Sequence, residues 1–153
     1  MPSKPSSRKP SSGKGRGLRK RLDGFRGAVP LLLRAAVGVV VLAHAQHTVF
    51  SGGMARHVDL VTRTLHLPWP VAYLSAYAEL LGAGLLLLGL FTRVAGLTLA
   101  VILGVAVARV HWAYGLRGPG GFELPLVLCA GALALVLLGG GWLSLDRHLL
   151  GEG

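Results

Sequence analysis

The chain carries few residues that can do chemistry, and most of them interrupt apolar stretches. Glu79 breaks the run 70–90, with Ser75 at i−4, Gly82 at i+3 and Ala83 at i+4. Those small neighbours share its helix face and let other helices come close. Along a helix from Pro70, Glu79 lies about 13 Å in, near the middle of a ~30 Å hydrocarbon layer. A charge at that depth costs about 2.5–3.5 kcal/mol even on an insertion scale, so it needs a cationic partner, a wet cavity or a proton. Arg34 interrupts an earlier apolar run, and His44 follows on the same sloping face through Val37 and Val41. His111 and Glu123 flank a glycine-rich stretch. Arg34, His44, Glu79, His111 and Glu123 are the candidate site residues.

Two constellations are open to them. Arg34 lies ~9 Å inside one end of its run and Glu79 ~16 Å from the same end, a difference an arginine side chain can bridge. The resulting buried ion pair is either a clamp on helix register or a tuned proton acceptor. His111, Glu123 and His44 gather at the opposite end. There they either hydrogen-bond loops at the membrane edge or bind the headgroup of a ligand or a metal. A carboxylate at a helix's positive end would by itself explain Glu123. A haem would need His44 or His47 facing His111 across two helices with an open pocket, and is not expected. No zinc signature, phosphate loop or nucleophile elbow appears, and no metal is expected.

The elements that must position these residues are membrane helices. The chain has 153 residues, 52% hydrophobic and 14% charged, with mean hydropathy +0.60. A soluble domain would carry roughly 25% charged residues. Cys129 is the single cysteine, which excludes an internal disulfide, a CxxC pair and the membrane enzymes that run on cysteine pairs. Of sixteen Lys and Arg, nine fall in the first 27 positions. A basic arm directly before a span holds that end in the cytoplasm beside anionic lipid, and this reading is preferred to nucleic-acid binding. Its Ser, Pro, Gly and Lys cannot build a core, so residues 1–27 read as a disordered cytoplasmic arm.

Residues 28–150 read as one all-α domain, an antiparallel four-helix transmembrane bundle with spans at about 28–50, 70–90, 94–112 and 122–139. Pro30 suits the first turn of span one. That span reads as retained, despite the Ala43-His44-Ala45 triplet, because the basic region is long and Arg34 breaks the apolar run. Residues 54–67 alternate charged and apolar types, as in a short amphipathic helix on the membrane surface, closed by Pro68-Trp69-Pro70. Phe91-Thr92-Arg93 is short enough to force a helical hairpin. Gly96, Ala100, Gly104 and Ala108 at i+4 spacing form a ridge for close packing, with His111 at its end. An even number of spans puts both termini in the cytoplasm and His44, His47, His57, His66, His111 and Glu123 at or near the outer surface, in a multi-pass protein of the cell membrane.

Taken together, these pieces resemble the DoxX family of small four-span membrane proteins. The resemblance rests on Leu32-Leu33-Arg34 and His44, then on Ala78-Glu79-Leu80-Leu81-Gly82 running into Gly89-Leu90-Phe91-Thr92-Arg93. His111 with the loop into Gly121-Phe122-Glu123, and the closing Leu143-Ser144-Leu145-Asp146, complete it. Family members are described as membrane components of thiosulfate:quinone oxidoreductase or of oxidative-stress complexes. The resemblance implies an accessory subunit of a quinone-linked redox complex, with soluble redox enzymes and the lipid bilayer as partners. Arg34 and Glu79, or His44, His111 and Glu123, would then contact a quinone headgroup or move its protons. The other class of function is a non-catalytic scaffold that recruits soluble partners through the basic arm. The chain departs from the family in that long arm, and in Ala45-Gln46 where relatives often have glycine after the histidine.

Reporter fusions after Gly17 and after Arg147 are expected to report cytoplasm, and one placed within residues 56–63 the outside. An external C-terminus would mean an odd number of crossings.

Overall fold

Helices occupy the four apolar stretches. The computed structural model describes residues 27–141 and 143–149, so the basic arm up to position 26, Trp142 and residues 150–153 lie outside the description. Helix α1 (Ala28–Phe50) is followed by a short α2 (Met54–Asp59), α3 (Trp69–Leu88), α4 (Thr92–Val105), α5 (Glu123–Leu138) and a terminal α6 (Leu145–Leu149). Among the described residues there is no strand. The expected all-α membrane bundle is the fold observed. α1, α3, and α4 with its continuation to Tyr114 are each long and apolar enough to cross a bilayer. α5 has 16 residues, about 24 Å of helix, which is shorter than a ~30 Å hydrocarbon core.

Local chemistry sets the ends. α3 starts behind Pro68, with Pro70 in its first turn, where a missing N–H costs nothing. It stops at Gly89, whose φ of +67° is left-handed. There Gly89 N–H donates to the Leu86 carbonyl (3.1 Å) and Leu90 N–H to the Leu85 carbonyl (2.9 Å). These two bonds close the helix end in the Schellman manner.

α1 packs on α3, α3 on α4, α4 on α5, and α5 back on α1, closing an antiparallel ring. Small residues make the interior: Ala72, Ala76, Gly82 and Ala83 of α3, and Ala95, Gly96 and Ala100 of α4, are buried. A Cβ on Gly96 would stand 3.0 Å from the Ala132 carbonyl oxygen, so α4 and α5 approach backbone to backbone. The anticipated ridge holds through Gly96 and Ala100, but Ala108 is exposed. The reason is a change of helix type: from Ala106 to His111 the backbone winds as a π-helix, which breaks the i+4 register. The outer face carries Leu74, Leu81 and Leu88 at i+7 spacing, and Val94, Leu97 and Val101, all exposed. Such an apolar exterior suits lipid.

One end of the ring is tied by polar groups. The Asp146 carboxylate accepts from Phe91 N–H (2.5 Å) and Thr92 N–H (2.8 Å), the first amides of α4. A negative charge there satisfies orphan donors and faces the helix's positive end. Asp146 N–H in turn donates to the Gly89 carbonyl (3.0 Å). Arg34, only 2% exposed, donates from Nη2 to the Leu143 carbonyl (3.2 Å) and lies near enough to Asp146 for their charges to attract. A side chain at Gly89 would run into the Arg34 guanidinium, so the turn that stops α3 also clears a seat for the arginine.

This corrects the expected Arg34–Glu79 ion pair, which is not formed. The guanidinium sits beside Gly89, one and a half ångströms per residue away from Glu79 over ten residues of α3, or about 15 Å. Arg34 extends toward the end of the bundle, where the fold-back of 143–146 supplies a carbonyl and a carboxylate.

Asp146→Ala is expected to lower the stability of detergent-purified protein by about 1–3 kcal/mol through the two orphaned amides. In double-mutant cycles Arg34→Ala with Asp146→Ala should couple by at least about 0.5 kcal/mol, whereas Arg34→Ala with Glu79→Ala should sum to within about 0.5 kcal/mol. Strong coupling in the second cycle would contradict this geometry.

Candidate functional site: an apolar cavity around Glu79

At the end away from Arg34 the ring opens into a cavity of about 430 Å³. That is the size of a small-molecule site. Its wall is mostly apolar, from Val40, Val41, Ile102, Leu103, Leu124 and Leu128 among others, and its polar side chains are Glu79, His44, His57 and His111.

Two π-helical turns border it. α2 continues as a π-helix over Leu60–Thr64, and α4 does so over Ala106–His111. Leu60 from the first turn, and Ala106, Val110 and His111 from the second, line the cavity. A π-turn widens the backbone by about one residue per turn, and such turns concentrate at functional sites. Here both fall where the helices part.

Glu79 projects from the middle of α3. It is 6% exposed, and among the described residues its carboxyl group has neither a hydrogen-bond nor a salt-bridge partner. The cavity is where the carboxyl can meet a ligand, a water or a proton, which is what its depth demands.

His111 is held by the loop that follows it. Its Nδ1 lies 2.6 Å from the Gly120 carbonyl oxygen; a carbonyl only accepts, so Nδ1 carries the proton. Gly120 has φ +86°, a conformation that glycine adopts freely. The Gly118 carbonyl accepts from Gly121 N–H, and Gly115 from Phe122 N–H. Trp112 and Phe122 stack at 5.3 Å across the loop's base.

His57 comes from α2, folded over the cavity mouth. Its Nε2 is 2.9 Å from Ser75 Oγ, and that hydroxyl donates its one proton to the Ala72 carbonyl (3.0 Å). Ser75 therefore accepts, and Nε2 carries the hydrogen. Burial pushes the imidazole below its ordinary 6.5, the nearby His44 adds to the depression, and a backbone hydrogen bond at Ala72 opposes both. The neutral ring is favoured.

The structure thus brings Glu79, His44 and His111 to one cavity and leaves two candidates out. Arg34 belongs to the other end. Glu123 heads α5 with its side chain exposed and is not in the cavity wall; its position at the positive end of α5 accounts for it. His47 is exposed and also outside the wall. Among the described residues no three or more His, Cys, Asp or Glu are grouped to hold a metal ion. His57 is the residue that sequence reasoning passed over. Its one signal is that an amphipathic connector places an imidazole where Ser75, one turn from Glu79, can meet it.

Because His57 resists protonation in the folded state, its contribution to stability is present above pH 6.5 and is lost as pH falls from there through its own lower value. His57→Gln should flatten that part of the acid limb, measured as melting temperature against pH between 7.5 and 5. An unchanged limb would mean that the ring is not buried against Ser75.

The matches to known proteins are few. No curated protein and no solved structure matches the chain. The DoxX family model matches residues 29–112, more than half the chain, running from the start of α1 through His111 and so including Arg34, His44, His57 and Glu79. The chain belongs to the DoxX family.

Proposed function

We propose that the chain is the membrane subunit of a quinone-linked redox complex and that the cavity around Glu79 receives the quinone headgroup. The observation that carries this reading is a buried carboxyl, unpartnered among the described residues, facing an apolar cavity rimmed by three histidines. An isoprenoid-type molecule suits such a place, since its body is apolar and its ring has two polar ends. Glu79 and a histidine can each exchange a proton with a headgroup oxygen, and the dry wall strengthens those contacts. With Cys129 as the single cysteine, electrons are assigned to a soluble partner enzyme. On this reading α5 crosses the bilayer with the other three helices, both termini are cytoplasmic, and the cavity opens near the outer surface of the cell membrane.

The test is binding of a short-chain alkyl benzoquinone to purified protein in detergent. Glu79→Gln and His111→Ala are expected to weaken binding about tenfold or more, a loss of ~1.4 kcal/mol, with helicity retained. Glu123→Gln should bind like the parent. Equal binding by all three variants would remove the cavity from the function.

A further inference from the structure

The way into the cavity is set by which of its walls are open. Of the residues that line it, the exposed ones are Val40 and His44 on α1 and Leu124 on α5. The other seams are shut. α1 packs on α3 with Ala45, Ala72 and Ala76 fully buried, Leu99 of α4 closes on Gly82 of α3, and α2 lies across the end. Nearer to Arg34, α1 and α5 also touch, since a Cβ on Gly131 would stand 2.7 Å from Val37 Cγ2. One turn on, Val127 lies on the same side of α5, yet it is 68% exposed. The two helices part between those positions. Measured from the contact, α1 runs on to Phe50 about five residues, or ~7 Å, beyond the level of Glu123, where α5 begins. With its end covered, the cavity opens sideways.

We propose that the seam between α1 and α5 is the entrance to the cavity from the hydrocarbon of the membrane, and that it holds the apolar tail of a lipid-borne ligand whose headgroup lies beside Glu79. This rests on the quinone reading above and adds where the ligand comes from and how it is seated. Val40 lies about 15 Å along α1 from Phe50, so the deeper rim falls well inside the hydrocarbon layer. The side chains that frame it, Val40, Leu124 and Val127, are aliphatic. Both backbones are helical there, so an opening to lipid strands no amide or carbonyl. A volume of about 430 Å³ takes a ring but not a long tail as well. The tail of a seated ligand therefore has to leave, and this seam leads it straight into lipid. His44, at the rim, is the polar group that an arriving headgroup meets first.

The experiment places full-length protein in phosphatidylcholine nanodiscs and uses three benzoquinones with one ring. The first has no tail, the second a decyl tail, and the third a decyl tail with a photoreactive diazirine close to the ring. Adducts of the third probe, displaced by excess of the second, are expected on residues 36–44 and 123–131. Val127→Trp sets a bulky side chain in the opening. It should weaken binding of the decyl quinone at least about tenfold and that of the tail-less ring at most about twofold. Displaceable adducts confined to α2, or to the outer faces of α3 and α4, would overturn the inference and leave the quinone site standing. So would seam adducts that excess quinone does not displace, which would mark ordinary contact with lipid, or a variant that treats both quinones alike. Failure of both unlabelled quinones to bind would overturn the quinone reading and the inference with it. The labelling arm uses the unmodified protein, so it decides even where the variant fails to fold.

Discussion

The bundle depends on a carboxylate placed where two backbone amides would otherwise be stranded. Asp146 caps the start of α4 from a segment more than fifty positions away in sequence. The segment that carries it also supplies the acceptor for Arg34. In lipid there is no hydrophobic force between helices, so close packing and polar ties hold a bundle together. Here the ties connect α1, the α3–α4 turn and the chain's closing segment at a single end. Among the described residues the far end has no comparable knot, and the helices can part there without losing one.

That asymmetry explains where the cavity lies. Small residues bring the helices to close range through the middle of the ring, and two π-turns then widen the backbone at the loosened end. α2, with Val61 buried beneath it, folds over the mouth and brings His57 to Ser75. Glu79 sits at the boundary between the packed and the open region. A carboxyl one or two turns nearer to Gly89 would be sealed among alanines and leucines. One placed nearer to Trp69 would be level with the interface.

Much of the frame is legible in the sequence, because it follows from local rules. The four apolar runs, the surface helix after span one, the close packing at Gly96 and the burial of Glu79 all come from composition and spacing within one element. The partner of Arg34 does not. It depends on residues 109 positions later, and the depth estimate that paired Arg34 with Glu79 had no means of including the fold-back. The ridge misled in a similar way, since an i+4 rule presumes an unbroken α-helix and α4 abandons it at Ala106. Glu123 shows the limit of grouping by depth alone: level with the histidines in the topology, it stands outside the cavity they border. The hydrogen-bonding sense of His57 and His111 is further still from the sequence, because it is set by carbonyls of glycine and alanine, whose side chains signal nothing.

The π-turn at the end of α4 also makes the site's geometry depend on winding rather than on the length of the chain. A π-turn holds about one residue more than the α-turn it replaces, and each residue advances an α-helix by about 100°. If residues 106–111 rewound as regular α-helix with every residue kept, the imidazole at its end would turn roughly a quarter of the way round the axis, off the cavity and away from the Gly120 carbonyl. Loss of one codon in 106–110 would instead let the helix close into α geometry with the same rotation overall, so the imidazole would keep its bearing. Among related chains, a histidine one position nearer to the start of an unbroken α-helix would thus mark the same site.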